Sequence, residues 1–175
     1  MGGRSSGGAG RGGAGSGQTH PDPSVALYKS ACKELGQTPI GAVATALGRS
    51  SVSLRHRGVS DGQVTAVAAA LTENQTVGIL DLHGNSVSDA GATSLCEALC
   101  CNTSITSLDL GNNRLTSDSR TPIAATIASS PSLSAVSLAN LKADVSFVYD
   151  VMLAVSESPA LRHLDVSRCG IGPKA

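Results

Sequence analysis

Tryptophan is absent from this 175-residue sequence, and the other aromatics amount to two tyrosines and one phenylalanine. A core built without large flat rings must be filled by many small aliphatic side chains in close register, which favours repetition. Charge is scarce as well: 13 basic and 13 acidic residues cancel, and charged side chains make up 15% of the chain. Such a surface, rich in Ser, Thr and Asn instead, has no field to hold nucleic acid or an anionic membrane, and neither is expected as a partner. No apolar run approaches the roughly 20 residues that a membrane-spanning helix needs, so no stable membrane insertion is expected. No hydrophobic leader follows Met1. Five cysteines are an odd count, which does not suggest a disulfide framework and fits a soluble protein in a reducing cytoplasm. No G-x-S-x-G nucleophile elbow is expected, and there is no H-E-x-x-H and no G-x-x-x-x-G-K-[ST]. No catalytic nucleophile, cofactor or small-molecule substrate is expected.

What is present begins with residues 1–23, a Gly- and Ser-rich stretch with almost nothing to bury, read as a disordered tail. Residues 24–48 change to two short helical runs. SVALYKSACKELG offers Ser24 as N-cap and Gly36 as stop, and TPIGAVATALG offers Thr38 as N-cap, Pro39 as first helical residue and Gly48 as stop. A helical hairpin is expected there, capping the remainder of the chain.

From residue 49 onward the chain repeats. Val52, Leu80, Leu108, Val136 and Leu164 are spaced 28 residues apart, and Leu54, Leu82, Leu110, Leu138 and Val166 keep the same step two positions later. Alternation of this kind is a short strand with one face inward. Val67, Leu95, Ile123 and Val151 are in step too, as are Leu71, Leu99, Ile127 and Val155 four residues on, which is helical spacing. Ser60, Ser88, Thr116 and Asp144 stand where each helix should start, all good N-cap residues. A strand–turn–helix unit of this length cannot bury its apolar face alone, whereas stacked units share a continuous core with strands on the inner wall of a horseshoe. The period therefore predicts an α/β solenoid over residues 49–175, with four full repeats and a fifth strand. Gly172 falls in the helix-start column with Pro173 after it. A fifth helix would begin there but its body is absent, so the chain is read as truncated or as covered at that end by another molecule.

The motif L-x-x-L-x-L-x-x-N-x-L, fullest in LDLHGNSV (80–87) and LDLGNNRL (108–115), resembles the ribonuclease-inhibitor-like leucine-rich repeats over residues 52–171. The resemblance implies that Asn85 and Asn113 turn inward to bond loop backbone between repeats. Arg57, Leu141 and Cys169 occupy that slot elsewhere; Cys is an accepted variant, whereas the turns at Arg57 and Leu141 are expected to be looser or differently built. The stretch YKSACKELGQTPI (28–40), leading into a degenerate first repeat, also looks like the start of the leucine-rich repeat-containing protein 74 family. Such families are implied to be interaction proteins or scaffolds without catalytic residues. Ran GTPase-activating proteins share the architecture and act through an arginine on a rim loop. Arg57 and Arg114 lie near such turns, but no surrounding motif makes either the counterpart. The expected function is binding of a protein partner through the concave face or rim; the alternatives are a GTPase-activating protein of that type and a structural fragment with no partner of its own.

On the inner wall, Asp81, Asp109 and Asp165 fall in one column, with Ser53 and Ser137. Arg55 and His83 fall in the next column, with Gly111, Ala139 and Ser167. His56, Gly84, Asn112, Asn140 and Arg168 form a third. The aspartates predict a shallow acidic stripe suited to an unidentified protein with a basic surface, with Arg55, His83 and Arg168 beside it; the plainer reading is that Asp in L-D-L is solvated repeat dressing. Cys96, Cys100 and Cys101 cluster without a second Cys/His pair, and His56 and His83 lack a third ligand, so no metal site is expected. Asn74-Gln75-Thr76 and Asn102-Thr103-Ser104 fit the glycosylation sequon, yet they recur at one repeat position and are attributed to the repeat. Gly10-Arg11-Gly12-Gly13, without a repeated array or aromatics, does not make an RNA-binding segment. Met1-Gly2-Gly3-Arg4-Ser5-Ser6 fits the pattern for myristoylation of Gly2, which would give weak, reversible membrane contact.

Overall fold

The computed structural model describes residues 22–170; Gly2, nearly all of the Gly/Ser-rich tail and the Gly172–Pro173 helix start lie outside them. Every period yields a three-residue strand: β1 Ser51–Ser53, β2 Ile79–Asp81, β3 Ser107–Asp109, β4 Ala135–Ser137 and β5 His163–Asp165. They form one parallel sheet in chain order. The register pairs Val52 with Leu80, Leu80 with Leu108, Leu108 with Val136 and Val136 with Leu164. Residues one period apart are thus neighbours in space. Leu54, Leu82, Leu110 and Leu138 are fully buried beneath the strand exits.

The helices form the outer layer: α1 Pro23–Glu34, α2 Gly41–Ala46, α3 Asp61–Leu71, α4 Asp89–Leu99, α5 Arg120–Ser129 and α6 Val145–Glu157. Val67, Leu95, Ile123 and Val151 are buried against the sheet, and Ala70, Ala98, Thr126 and Ala154 let the helices approach closely. A 3-10 turn, Ser117–Ser119, precedes α5. Pro122 has no amide to give to the carbonyl of Asp118, and the chain tightens there before the helix runs freely.

Several helix starts differ from the sequence expectation. α1 begins at Pro23 with Asp22, not Ser24, as its cap; Asp22 Oδ1 accepts from the Ser24 amide at 2.9 Å and the Ser24 hydroxyl at 2.6 Å. α2 begins after Ile40, without a side-chain cap and without Pro39 in its first turn. Ser88 does not cap its own helix. Its amide and hydroxyl donate to Asp61 of the preceding repeat at 2.7 and 2.6 Å. Thr116 donates to Asp89 in the same way at 2.8 and 2.7 Å, and its Oγ1 also caps its own start as expected, accepting from the Asp118 amide at 3.3 Å. The hydroxyls are thus used to tie repeats together. Asp144 does cap α6, accepting from the Phe147 amide at 2.9 Å.

The N-terminal end is closed by α1, which lies on α3. Tyr28 and Cys32 are buried there, and Tyr28 Oη accepts from the Ile40 amide at 2.8 Å. Burial, chiefly, pushes the Tyr28 phenol up to about 12.

Candidate functional site

The strand-exit column, one residue per period, turns the chain sharply away from the sheet. His56, Asn112, Asn140 and Arg168 all have φ of 54–57°, and Gly84 in the same column has φ of 68°. Left-handed backbone at non-glycine residues costs free energy and persists here because the repeat enforces it. The column becomes a ridge beside the concave face, along which the Asn140 side-chain amide donates to Asn112 Oδ1 at 2.8 Å.

Beneath the ridge, Asn85 fills the turn. Its Oδ1 accepts from the amides of Arg57 and Val59, both at 3.0 Å, and its Nδ2 donates to the carbonyls of Leu54 and Leu82 at 2.9 and 2.7 Å. Asn113 similarly accepts from the Val87 amide at 3.1 Å and donates to Leu82 and Leu110 at 2.9 Å. The first turn is held by the next repeat's asparagine, so the exposed Arg57 side chain is not needed. Cys169 donates its thiol to the Leu138 carbonyl at 2.9 Å, whereas Leu141 is buried and seals its turn by packing.

A second ladder runs where helices turn back toward strands. Asn74 Oδ1 accepts from the Thr76 and Val77 amides at 3.0 and 2.8 Å, while its Nδ2 donates to Ser24 Oγ at 2.9 Å and to the Leu47 carbonyl at 2.8 Å. Asn102 repeats the pattern against Ser104, Ile105, Leu71 and Asn74. Both are buried, so the sequon asparagines are structural. One period and two periods later the slot holds Ser130 and Ser158, which accept from Leu133 and Leu161. The 28-residue recurrence of Asn-x-Thr/Ser was the available signal for this ladder.

The concave face carries the charged columns. Arg55 reaches across two repeats, with Nε 3.0 Å from Asp81 Oδ2 and a terminal nitrogen 3.1 Å from Asp109 Oδ2. Each aspartate also accepts from the amide two residues on: Asp81 from His83 at 3.0 Å, Asp109 from Gly111 at 2.9 Å and Asp165 from Ser167 at 2.9 Å. The expected acidic stripe is therefore not a free negative surface: Arg55 pairs with two of its members, its one positive charge offsetting half of theirs, and all three serve their turns. The Ser167 amide holds the Asp165 carboxyl below the usual carboxylate range. His83 Nδ1 lies 3.4 Å from Asp109 Oδ1, and its ring meets His56 edge to face at 5.4 Å between centroids. Gly84 permits this, since a Cβ there would collide with the His56 ring.

Toward β5 the face opens into a hollow of about 530 Å³. Ala135 and Ser137 line it in the middle, Asp109 stands on one side, and His163 and Asp165 stand on the other with Arg162 also lining it. A further concave column lies two residues before that of the aspartates: Ser51, Ile79, Ser107, Ala135 and His163. Ile79 and His163 from that column are exposed on the concave wall. The period-two alternation already put them there.

Other candidates do not converge. Cys96 is buried, and that burial pushes its thiol up to about 11, whereas Cys100 and Cys101 are exposed. Gly58-Val59-Ser60-Asp61-Gly62 does fit G-x-S-x-G on a strand-to-helix turn, but the Ser60 hydroxyl donates to Gln37 Oε1 at 3.3 Å and its amide to Gln63 Oε1 at 3.1 Å. Ser60 is thereby tied to the helix start. No group of three metal-ligating side chains occurs among the described residues, and no described helix is long and apolar enough to cross a membrane.

The Leucine Rich repeat family model matches residues 73–96, 101–124 and 157–175. No curated protein matches the chain. Among solved structures, the chain is similar to Leiomodin-1 Actin-Binding Site 2, with 16% identity, a TM-score of 0.66, and coverage of 80% of this chain and 79% of that one. It is also similar to the tropomodulin C-terminal domain of Caenorhabditis elegans, with 19% identity, a TM-score of 0.61, and coverage of 80% and 82%. The sheet, its register and these likenesses give the chain the α/β solenoid fold of leucine-rich repeats.

Proposed function

We propose that this chain is a non-catalytic interaction module or scaffold of the cytoplasm that takes a protein partner on its concave face over β3–β5. The hollow between Asp109 and Asp165 is the observation that carries this reading. Arg55 occupies Asp81 and Asp109, so Asp165, whose carboxylate accepts from the Ser167 amide, is the group best placed to receive a partner's Lys or Arg. His163 and Arg162 would orient acidic or backbone groups of the same partner. Arg168 and His83 lie at the border of that surface.

The test is capture of partners from cytosol by the intact chain and by an Asp165→Lys variant, both shown to be folded by circular dichroism. Loss of the bound protein in the variant, by about tenfold in affinity for a reversed charge pair, is the expected result; an unchanged set of partners would refute the site. Asp81→Lys and Asp109→Lys are expected to act less directly, by releasing Arg55. Actin belongs in the same experiment as a purified probe, because the leiomodin domain of like fold is named as an actin-binding site. The rival reading is a Ran-type GTPase-activating protein. Stimulated GTP hydrolysis lost on Arg57→Ala or Arg114→Ala would establish that rival.

A further inference from the structure

The charges of this electrically balanced chain are unevenly placed. Turns from strand to helix form one rim of the solenoid, and turns from helix to strand form the other. Among the described residues, the strand-to-helix turns hold Arg55, Arg57, Arg114, Lys142 and Arg168 against a single acid, Asp144. The opposite turns hold Arg49 and Arg162 with Glu73. Arg55 is engaged by Asp81 and Asp109. Arg57, Arg114, Lys142 and Arg168 are exposed, and none of them forms an ion pair among the described residues.

These cations are presented on ordered backbone. Arg168 has left-handed φ in the ridge column, the Arg57 amide is held by Asn85, and the Arg114 amide donates to the Val87 carbonyl at 2.8 Å. Neighbouring repeats are about 5 Å apart along the sheet. The steps from the repeat of Arg57 to that of Arg168 therefore cover about 20 Å, the length of about six extended residues. A row of carboxylates at the helix starts, Asp61, Asp89, Asp118 and Asp144, runs beside the basic row. A broad polyanion lying across both rows would meet those carboxylates, whereas one extended chain can follow the basic row alone. The strand-to-helix turns also contain no Phe, Tyr or Trp on which a nucleic-acid base could stack.

We propose that this rim binds an extended acidic segment of a partner protein, whose Asp or Glu side chains meet Arg57, Arg114, Lys142 and Arg168. Arginine and lysine recognise acidic motifs through charge-assisted hydrogen bonds. Because these side chains are exposed and have no ion-pair partner among the described residues, no internal salt bridge is broken when they bind. An extended chain directs every second side chain to one side, at steps of about 6.6 Å. Carboxylates at alternate positions therefore meet cations carried on successive or alternate repeats, and the long Arg and Lys side chains take up the difference from the repeat spacing. The rim is separate from the hollow over β3–β5, so the inference stands apart from the concave reading.

The test is an NMR titration of the isotopically labelled 175-residue chain with an octapeptide of alternating Glu and Ser, at about 20 mM salt, where exposed charges are weakly screened. A set of exposed ion pairs of this number supports a dissociation constant of about 1 mM. Amide shifts are expected to gather in the turns that carry Arg57, Arg114, Lys142 and Arg168, and to fade as salt is raised. Arg114→Ser and Lys142→Ser should each weaken binding about threefold, and together about tenfold, with circular dichroism showing the variants folded. Arg49→Ser removes the same charge from the opposite rim and should leave the affinity unchanged. Asp165→Lys, which alters the concave hollow, should not weaken it. No shifts at up to about 10 mM peptide, shifts gathered elsewhere, or an equal loss on Arg49→Ser would overturn the proposal. So would a single-stranded oligonucleotide of the same charge that binds these turns more tightly than the peptide.

Discussion

At the residue scale, the turn asparagines carry more than their neighbours because one planar amide satisfies backbone donors and acceptors of two repeats at once. Asn85→Ala would leave the Arg57 and Val59 amides and the Leu54 and Leu82 carbonyls short of partners. The expected loss is about 2–4 kcal/mol, as for several buried polar groups left unsatisfied, read as a fall in the urea midpoint at unchanged slope. Gly84→Ala acts differently: backbone at φ 68° and the His56 ring both oppose a Cβ. Its expected cost is about 1 kcal/mol, and the His56 and His83 imidazole resonances should both move in an NMR spectrum as the edge-to-face contact breaks. Unmoved resonances would mean that the two rings do not touch in solution.

At the element scale, helix starts are tied either forward to the next repeat or inward to their own first turn, and α6 is of the second kind. The Phe147 amide, followed by the Ser146 and Ser117 hydroxyls, holds the Asp144 carboxyl down to about 2. The folded value lies below the unfolded one near 3.8, so the stabilisation is complete above about pH 4 and is lost as pH falls toward 2. At Asp89, burial raises the carboxyl, but bonds from Thr116 and Ser119 outweigh it and the net shift is downward, in the same sense. Asp144→Asn keeps an oxygen acceptor but cannot titrate. Its melting temperature is therefore expected to fall less steeply than that of the parent between pH 4 and 2, measured by circular dichroism, and parallel curves would show that the cap contributes nothing to acid unfolding.

At the scale of the whole molecule, stability is a sum over stacked repeats and the interfaces between them. The first end is sealed by Tyr28, Cys32 and the Ser24–Asn74 contact, while the last described repeat leaves Leu164 and Val166 only partly covered. Hydrogen exchange is expected to be slowest in β1 to β3 and fastest in β5 and α6. Leu110→Ala, at a fully buried position in the middle of the stack, should cost about 2–5 kcal/mol and accelerate exchange most in β3 and β4. Uniform acceleration of all repeats would show a single cooperative unit.

The sequence by itself determined the period, and the period determined the fold: residues 28 apart became strand partners because only stacked units bury columns such as Val52–Leu80–Leu108. Concave positions were legible by alternation, the column of Ile79 and His163 included. Helix starts were less so, because Ser88 and Thr116 have hydroxyls that can accept from their own helix or donate to a neighbour's carboxylate. Local chemistry permits both: beside Asp61 the Ser88 hydroxyl donates, whereas Thr116 donates to Asp89 and still accepts from the Asp118 amide of its own turn. The acidic column was visible in the same way. That Arg55 spans two of its aspartates was not, since it depends on how far a flexible side chain reaches across adjacent strands. Spacing set which residues share a face, while tertiary structure set which charges on that face remain available to a partner.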